Sequence, residues 1–188
     1  DLVFVPPAQH LNAAAEKAEY DLHENRPDDE GYRRFLDRLF RPLDQRLAAQ
    51  AQGLDFGCGP GPALSKMFEE GGRKVALYDP FYAPDISLLS GPYDFITLSE
   101  VAEHLAAPGA ELDRLWQALV PGGWLGIMTK RVQGAAAFSS WHYITDATHV
   151  SFFSDASFHW LAAHWSAPGK PANLIFAGAD VVLFEKAG

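Results

Sequence analysis

Four glycines and one acid cluster at residues 53–62 of this 188-residue chain, in the stretch GLDFGCGPGP. Asp55 is followed by three glycines at alternate positions, Gly57, Gly59 and Gly61. Glycine accepts a positive φ, and its missing Cβ lets a ligand lie directly against the backbone. The amphipathic run that follows predicts a helix, whose first amides would face that ligand with partial positive charge. The stretch therefore predicts a strand, a ligand-binding turn and a helix.

This turn differs from two common phosphate-binding patterns. A dinucleotide turn reads G-x-G-x-x-G/A, and its sixth position is occupied here by Pro62. A P-loop needs Gly-Lys-Ser/Thr, which the stretch lacks. A glycine-rich turn with a purely structural role is the alternative, so the rest of the chain must decide.

The next predicted strand, at residues 73–80, ends in a second acid, Asp79. Ligands of doubly wound sheets lie beyond the carboxyl ends of the strands. Asp79 is therefore placed to accept hydrogen bonds from both hydroxyls of a ribose, and Phe81 and Tyr82 could flank the ribose or its base. An ordinary turn aspartate before Pro80 is the alternative.

Three histidines are candidate general bases: His104, His142 and His149. His149 follows Asp146 beyond the strand predicted at 120–130, on the expected site side of the sheet. For each histidine, structural hydrogen bonding is the competing interpretation. Lys130 could orient an anionic acceptor or simply end a strand.

Strands and helices alternate along most of the sequence, which predicts a parallel sheet with right-handed crossovers. We expect an α/β fold with three layers and a doubly wound, mostly parallel, seven-stranded sheet. A small edge strand is expected before residue 93, and residues 171–186 predict a closing antiparallel hairpin. Residues 11–22 predict a helix, and residues 28–50 predict one or two more with a break near Pro42. Core packing is the favoured role of the apolar residues that recur at helical spacing in 28–50.

Composition narrows the functional class. A hydrophobic fraction of 48% and an aromatic fraction of 13% are typical of a globular protein. The net charge of −9 and the lack of a basic run disfavour nucleic acid as a partner. The single cysteine, Cys58, excludes an intrachain disulfide and suits a reducing compartment, so we expect a cytoplasmic protein. No membrane span is expected, because no run of 18 apolar residues occurs.

Several short motifs together resemble class I S-adenosylmethionine-dependent methyltransferases in order and spacing. They are Asp55-Phe56-Gly57-Cys58-Gly59-Pro60-Gly61, Asp79, Tyr93-Asp94-Phe95-Ile96, Glu100-Val101-Ala102-Glu103-His104-Leu105 and Leu119-Val120-Pro121-Gly122-Gly123. The E-V-x-E-H stretch is similar to that of small-molecule methyltransferases of the ubiquinone-biosynthesis type. The resemblance covers roughly residues 50–188.

The resemblance implies S-adenosylmethionine as cofactor, S-adenosylhomocysteine as product, and a set of contact residues. The glycines would form the turn under the methionine part, and Asp55 would fix that turn or meet the amino group through water. Asp79 would hold the ribose, while Ser99 and Glu100 would lie near the methionine end. The expected cofactor contacts are Asp55, Gly57, Cys58, Gly59, Gly61, Asp79, Pro80, Phe81, Ser99 and Glu100.

The same resemblance raises the possibility of a divalent-ion site. Glu100, Glu103 and His104 have i, i+3, i+4 spacing, so a helix would place them on one face. A single turn supplies few of the carboxylate ligands that hard cations favour. Local capping and cofactor contact are the preferred interpretation, and we expect no metal.

The sequence as a whole predicts a methyltransferase that acts on a small-molecule acceptor, with oxygen favoured over nitrogen or carbon. His149 and His104 are its predicted catalytic residues. Residues 1–50 are expected to form an N-terminal strand and helical cap, and 51–188 the cofactor-binding domain. The alternatives are a protein or RNA methyltransferase, a nicotinamide-dependent oxidoreductase and a non-catalytic cofactor-binding module. The sequence is also compatible with a homodimer. The segment containing Tyr20, His23 and Asn25 is either a cap or a flap over the site.

Overall fold

The computed structural model describes residues 2–22 and 25–188. The strands in this part of the chain are β1 (Val3–Phe4), β2 (Gln52–Phe56), β3 (Lys74–Tyr78), β4 (Tyr93–Ser99), β5 (Leu119–Met128), β6 (Ser151–Phe152), β7 (Asn173–Phe176) and β8 (Val181–Glu185). The α-helices are α1 (Ala13–Tyr20), α2 (Glu30–Asp44), α3 (Ala63–Glu70), α4 (Pro108–Ala118), α5 (Ala135–Phe138) and α6 (Asp155–Trp165).

The central sheet has the strand order β3-β2-β4-β5-β8-β7. The first four strands are parallel, β8 runs antiparallel to β5, and β7 pairs antiparallel with β8. The α/β class, the mostly parallel sheet and the closing hairpin are therefore confirmed. The carboxyl ends of β2, β3 and β4 meet at one edge of the sheet, which is where a ligand is expected.

The predicted number of strands in this sheet was wrong. Six strands form it among the described residues, and the edge strand expected before β4 is replaced by a 3-10 helix at Ile86–Ser90. The connection between Tyr78 and Tyr93 is too short for an additional strand, because each parallel crossover takes about a dozen residues or more.

Helices cover both faces of the sheet, as side-chain alternation along the strands requires. On one face, α2 and α3 pack on residues such as Phe95 of β4, and on the other face α4 and α6 pack on residues such as Ile96. The buried stripe of α2 consists of Leu36, Leu39 and Leu43, each at most 1% exposed. This helix is thus one layer of the core.

The expected helix break near Pro42 was also wrong, since α2 continues through it to Asp44. Proline in a helix interior costs about 3 kcal/mol. Burial of the three leucines stabilises the helix by roughly 1.5–3 kcal/mol for each side chain, which outweighs that cost.

Two N-terminal elements lie outside the central sheet. β1 pairs antiparallel with β6, and α1 begins after Asn12, whose side chain accepts hydrogen bonds from the amides of Ala14 and Ala15. No residue of α1 is buried. Across the described residues, no helix is both long and apolar enough to cross a bilayer.

Candidate active site

A cavity of about 650 Å³ opens at the carboxyl ends of β2, β3 and β4. Its walls come from the glycine turn, from the segments that follow β3 and β4, from α1 and α2, and from the loop that contains Asp146 and His149. Cavities of roughly 300–1,000 Å³ are typical of small-molecule sites. The predicted cofactor and base residues that line it are Gly57, Cys58, Gly59, Asp79, Pro80, Phe81, Ser99, Glu100, His104 and His149.

The glycine turn presents bare backbone to this cavity. Gly57 and Gly59 have φ values of 75° and 62°, which strongly favour glycine. A Cβ on Gly57 would lie 2.5 Å from Cγ2 of Val101, whereas no atom of the described residues lies within 4 Å of a Cβ on Gly59. The space over Gly59 is therefore open to a ligand.

Gly61 and Cys58 have different surroundings. A Cβ on Gly61 would lie 1.8 Å from the carbonyl oxygen of Asn25, so Gly61 allows a close chain contact and does not line the cavity. Cys58 does line it, and burial raises the pKa of its thiol to about 12. The thiol is therefore neutral at physiological pH, which disfavours it as a nucleophile.

Asp79 connects the glycine turn to the end of β3. One of its carboxylate oxygens accepts a hydrogen bond from the amide of Gly59 at 3.0 Å. The other accepts from the amides of Phe81 at 2.8 Å and Tyr82 at 3.1 Å. A carboxylate has about four lone-pair positions, so Asp79 retains the capacity to accept from a ligand hydroxyl.

Asp55 lies beneath the turn and does not line the cavity. It is 4% exposed, and it accepts hydrogen bonds from the Thr97 hydroxyl at 2.8 Å and from the backbone amide of Ser65. Burial raises its pKa to about 7, although both hydrogen bonds oppose that shift. Its contacts tie the turn to α3 and β4.

Ser99 and Glu100 close the cavity at the end of β4. Among the described residues, Glu100 is the one non-glycine residue with a positive φ, at 53°. Burial, with a contribution from Glu103, raises the pKa of Glu100 to about 8. The buried hydroxyl of Ser99 has no hydrogen-bond partner within the described part of the chain. Backbone strain and an unsatisfied polar atom at one place are features of functional sites.

The predicted helical face for Glu100, Glu103 and His104 was wrong. Only a 3-10 turn forms there, at Ala102–His104, and Glu100 precedes it in the left-handed region. The side-chain group that could hold a metal ion instead consists of Glu103, His104 and His149, whose ligand atoms all lie within 4.8 Å of one another. His149 comes from a different segment of the chain, so spacing within the motif could not indicate it.

Backbone carbonyls orient both cavity histidines. The Nδ1 atom of His104 lies 3.1 Å from the Thr148 carbonyl oxygen, and that of His149 lies 2.7 Å from the Tyr143 carbonyl oxygen. A carbonyl only accepts, so Nδ1 carries the proton in each ring. Burial lowers the pKa of His149, which keeps this ring neutral at physiological pH with a lone pair on Nε2. This is the state that a general base requires.

Sequence reasoning missed the role of Tyr143. Its hydroxyl donates to Glu103, which is fully buried. The other carboxylate oxygen of Glu103 has no partner among the described residues. Burial raises the pKa of Glu103, which favours its protonated form. Tyr143 therefore supports Glu103 through its hydroxyl and His149 through its carbonyl group.

The N-terminal segment contributes directly to the cavity wall. The ring of Tyr20 lies 5.3 Å from that of His104 and 5.9 Å from that of Phe81. Asn25 and the α2 residues Tyr32 and Phe35 also line the cavity, although core packing was the favoured role for the latter two. The sequence left open whether the segment with Tyr20, His23 and Asn25 is a cap or a flap. Tyr20 and Asn25 line the cavity, and His23 lies outside the described residues.

Two other candidates lie away from the cavity lining. His142 contacts Lys130, with 3.1 Å between Nε2 and Nζ, and Lys130 also lies over the Tyr143 ring. Neither residue lines the cavity. The structure therefore gives no support to His142 as the base or to Lys130 as a ligand for an anionic acceptor.

A sequence-family profile described as "Methyltransferase domain" matches residues 22–165. This match spans more than half of the chain. The chain belongs to the methyltransferase-domain family. No protein with a curated description matches the sequence significantly.

Solved methyltransferase structures share the fold. One is the 1,6-didemethyltoxoflavin-N1-methyltransferase of Burkholderia thailandensis with 1,6-didemethyltoxoflavin and S-adenosylhomocysteine (19% identity, 100% of this chain and 95% of that chain covered, TM-score 0.56). Another is human N-acetylserotonin methyltransferase with S-adenosylmethionine (16% identity, 93% and 55% covered, TM-score 0.60). A third is a methyltransferase of Archaeoglobus fulgidus (15% identity, 82% and 94% covered, TM-score 0.59). These likenesses confirm a class I, Rossmann-like methyltransferase fold.

Proposed function

We propose that this protein transfers a methyl group from S-adenosylmethionine to a small-molecule acceptor, with oxygen as the favoured acceptor atom. The observation that carries the proposal is the open glycine turn that shares a cavity of about 650 Å³ with Asp79. The volume suits a nucleoside cofactor together with a small acceptor. The family match supports the reaction, and the structural neighbours named with this cofactor or its product support the donor.

The described residues fit S-adenosylmethionine in three respects. The bare backbone at Gly59 leaves space for the methionine part, and the Ser99 hydroxyl has no other partner in the described chain. Asp79 lies one strand away, with a carboxylate that can accept from the ribose hydroxyls. Acids and aromatic rings around the cavity favour a sulfonium cation.

The cofactor, when bound, supplies a methyl group that is already activated on sulfur. The protein then has to align the acceptor atom with that carbon, and positioning alone can supply much of the acceleration. The acceptor would form the new bond to the methyl carbon as the carbon–sulfur bond breaks, and the electron pair of that bond would stay on the sulfur. His149 accepts the proton that a hydroxyl acceptor loses, through its Nε2 atom, and later releases that proton to water.

The finer assignments belong to the same proposal. Oxygen is favoured because an oriented, neutral histidine suits an acceptor that must lose a proton. The ubiquinone-biosynthesis resemblance rests on the E-V-x-E-H stretch, of which Glu100, Glu103 and His104 line the cavity. Within residues 1–50, α1 covers one side of the cavity, whereas α2 is a layer of the core that also lines the cavity. Residues 51–188 bind the cofactor. The net charge of −9 favours a small molecule over RNA as the acceptor.

Calorimetry tests the donor assignment. We expect S-adenosylmethionine and S-adenosylhomocysteine to bind and NAD not to bind, and tight binding of NAD alone would contradict the proposal. Asp79→Ala should weaken binding by about 1–3 kcal/mol, the order of a lost hydrogen bond to a charged group. Asp113→Ala is the matched control, since Asp113 contacts His164 and Trp165 away from the cavity. Equal affinities of the two variants would remove Asp79 from the site.

A further inference from the structure

The charges around the cavity are one-sided. Six carboxyl side chains line it, and among the described lining residues none is lysine or arginine. The six are Glu16, Asp79, Glu100, Glu103, Glu111 and Asp146. Charges in a cavity are poorly screened, so the sign of the lining selects the charge of the ligand. Glu100 and Glu103 favour their protonated forms. An anionic group placed here would still meet the other acidic side chains, without a compensating lysine or arginine from the described lining.

Three basic side chains near the cavity have other contacts. Lys130, which acts electrostatically on Glu100, lies 3.1 Å from His142 and over the ring of Tyr143. Lys17 pairs with Asp21 at 2.8 Å and lies over the ring of Tyr82. Arg38, which acts electrostatically on Glu100, forms an ion pair with Asp180. Recognition of a carboxylate or phosphate normally uses an arginine fork or a lysine aimed at the anion. The described residues provide neither at the cavity wall.

One part of the wall, which we term the acceptor wall, consists of Glu16, Tyr20, His104, Asp146 and His149. Its members are in mutual contact: the rings of Tyr20 and His104 lie 5.3 Å apart, and those of His104 and His149 lie 4.8 Å apart. Tyr20 donates to Glu16 at 2.7 Å, and the His149 Nε2 atom lies 3.7 Å from Asp146. The wall therefore combines aromatic faces with carboxylates.

Asp146 is held on this wall by Thr148. One of its carboxylate oxygens accepts hydrogen bonds from the Thr148 amide at 2.9 Å and from the Thr148 hydroxyl at 2.6 Å. Protonated amines are attracted both by carboxylates and by the faces of aromatic rings. An aromatic ring of a ligand can pack on the cavity side of Tyr20 and the two imidazoles by edge or stacked contacts.

We infer that the acceptor is an aromatic molecule that carries a protonated amine and no carboxylate or phosphate group. This inference rests on the proposed function. Its ring packs on the acceptor wall, its amine pairs with Glu16, and the group to be methylated lies at His149. A neutral aromatic molecule is tolerated, whereas an anionic one is rejected.

The test uses probes that, within each series, share one aromatic ring system and carry a cationic, neutral or anionic substituent, added to protein saturated with S-adenosylhomocysteine. One series is dopamine, 4-methylcatechol and 3,4-dihydroxyphenylacetate, and a second is tryptamine, 3-ethylindole and indole-3-acetate. We expect the amine to bind tightest in calorimetry and the carboxylate at least about tenfold more weakly, which corresponds to about 1.4 kcal/mol. A carboxylate that binds as tightly as its amine counterpart would overturn the inference.

The outcomes separate this inference from the proposed function. If S-adenosylhomocysteine binds and no amine of either series does, the acceptor class is wrong and the donor assignment stands. If S-adenosylhomocysteine itself fails to bind, the proposed function is wrong, and the inference fails with it.

A charge reversal on α1 gives an independent test. Glu16→Lys should reverse the preference within each series, because it places a cation on the acceptor wall. Glu19→Lys is the matched control: it makes the same change on the same helix, at an exposed position that does not line the cavity. An unchanged preference in Glu16→Lys, with S-adenosylhomocysteine binding intact, would also overturn the inference.

Discussion

At the scale of single residues, backbone carbonyls and burial set the protonation states at the candidate site. The Tyr143 carbonyl oxygen holds Nδ1 of His149, and burial disfavours the charged ring. Burial lowers the pKa of His149 for this reason, and it raises the pKa of the Glu100 and Asp55 carboxyl groups. The result is a cavity in which a neutral base and the Glu100 carboxyl, which resists ionisation, both line the wall, while Asp55 lies beneath the turn.

The lowered pKa of His149 predicts a pH dependence of turnover. The base is active when neutral, so the acidic limb of kcat/KM should lie below pH 6.5, the usual value for histidine. His149→Ala should slow turnover by ~10²-fold or more, abolish that limb and spare cofactor affinity. The rates are measured with an acceptor found by screening with labelled donor.

His164→Ala is the control for this experiment, because His164 lies on α6 and contacts Asp113 away from the cavity. A fully active His149→Ala variant would end the role of His149 as a base. Loss of wild-type activity in a chelator, with recovery on adding a divalent ion, would assign His149 to a metal site together with Glu103 and His104.

Asp55 predicts a pH dependence of stability. Its pKa is raised from 3.8 to about 7 in the folded protein. Between these values the unfolded chain binds fewer protons than the folded one, so this group lowers the free energy of unfolding as pH rises. The loss amounts to roughly 4 kcal/mol at most, at 1.36 kcal/mol for each pKa unit.

Asp55→Asn removes the titration and retains an oxygen that can accept from Thr97. In urea denaturation at pH 5 and at pH 7.5, the variant should gain stability relative to the wild type as pH rises. A difference between the two proteins that is the same at both pH values would show that the Asp55 carboxyl does not titrate in this range.

At the scale of elements, α1 and α2 contribute to the cavity in different ways. α2 buries three leucines against the sheet and exposes Tyr32 and Phe35 to the cavity. α1 buries none of its residues, and its contacts include an exposed hydrogen bond of 2.6 Å from Tyr82 to Asp21. Exposed contacts stabilise weakly, so α1 is expected to be less stable locally than α2.

The packing of α2 predicts a clear stability difference. Leu39 is fully buried, and its Cδ1 atom lies 2.9 Å from where a Cβ on Gly126 would be. Leu39→Ala should reduce the free energy of unfolding by about 2–5 kcal/mol. Arg34→Ala, on the exposed side of the same helix, should change it by less than about 0.5 kcal/mol. Equal midpoints in urea denaturation would mean that α2 is a separable cap.

At the scale of the whole molecule, the ligand cavity and the fold are built from the same parts. Strand ends, helix starts and the N-terminal segment all meet at the cavity, so a bound ligand should stabilise the chain as a unit. The net charge of −9 is also a property of the whole molecule, and it disfavours polyanionic partners at any site on the surface.

Ligand binding should therefore raise the melting temperature. S-adenosylhomocysteine at about 100 times its Kd stabilises the folded state by about 2.7 kcal/mol. For a chain of this size, that corresponds to a rise of roughly 5–10 °C in Tm. NAD at the same concentration should leave Tm unchanged in differential scanning fluorimetry, and equal shifts for both ligands would contradict the donor assignment.

The sequence by itself determined the sheet class, the glycine turn and ten of the residues that line the cavity. These features depend on local signals: positive φ at Gly57 and Gly59, the apolar alternation of the strands, and an acid at the end of β3. In a parallel sheet the carboxyl ends of the strands lie at one edge, so the sequence alone predicts that Asp79 and Ser99 lie close together.

Only the tertiary structure decided which distant segments complete the site. It replaced the predicted edge strand with a 3-10 helix, brought His149 to His104, placed Tyr143 against the buried Glu103, and closed one side of the cavity with Tyr20. These contacts join segments that are far apart in sequence, and they depend on how helices and loops pack over the sheet. Spacing within a motif contains no information about such packing, because it constrains only the relative positions of residues that are close in sequence.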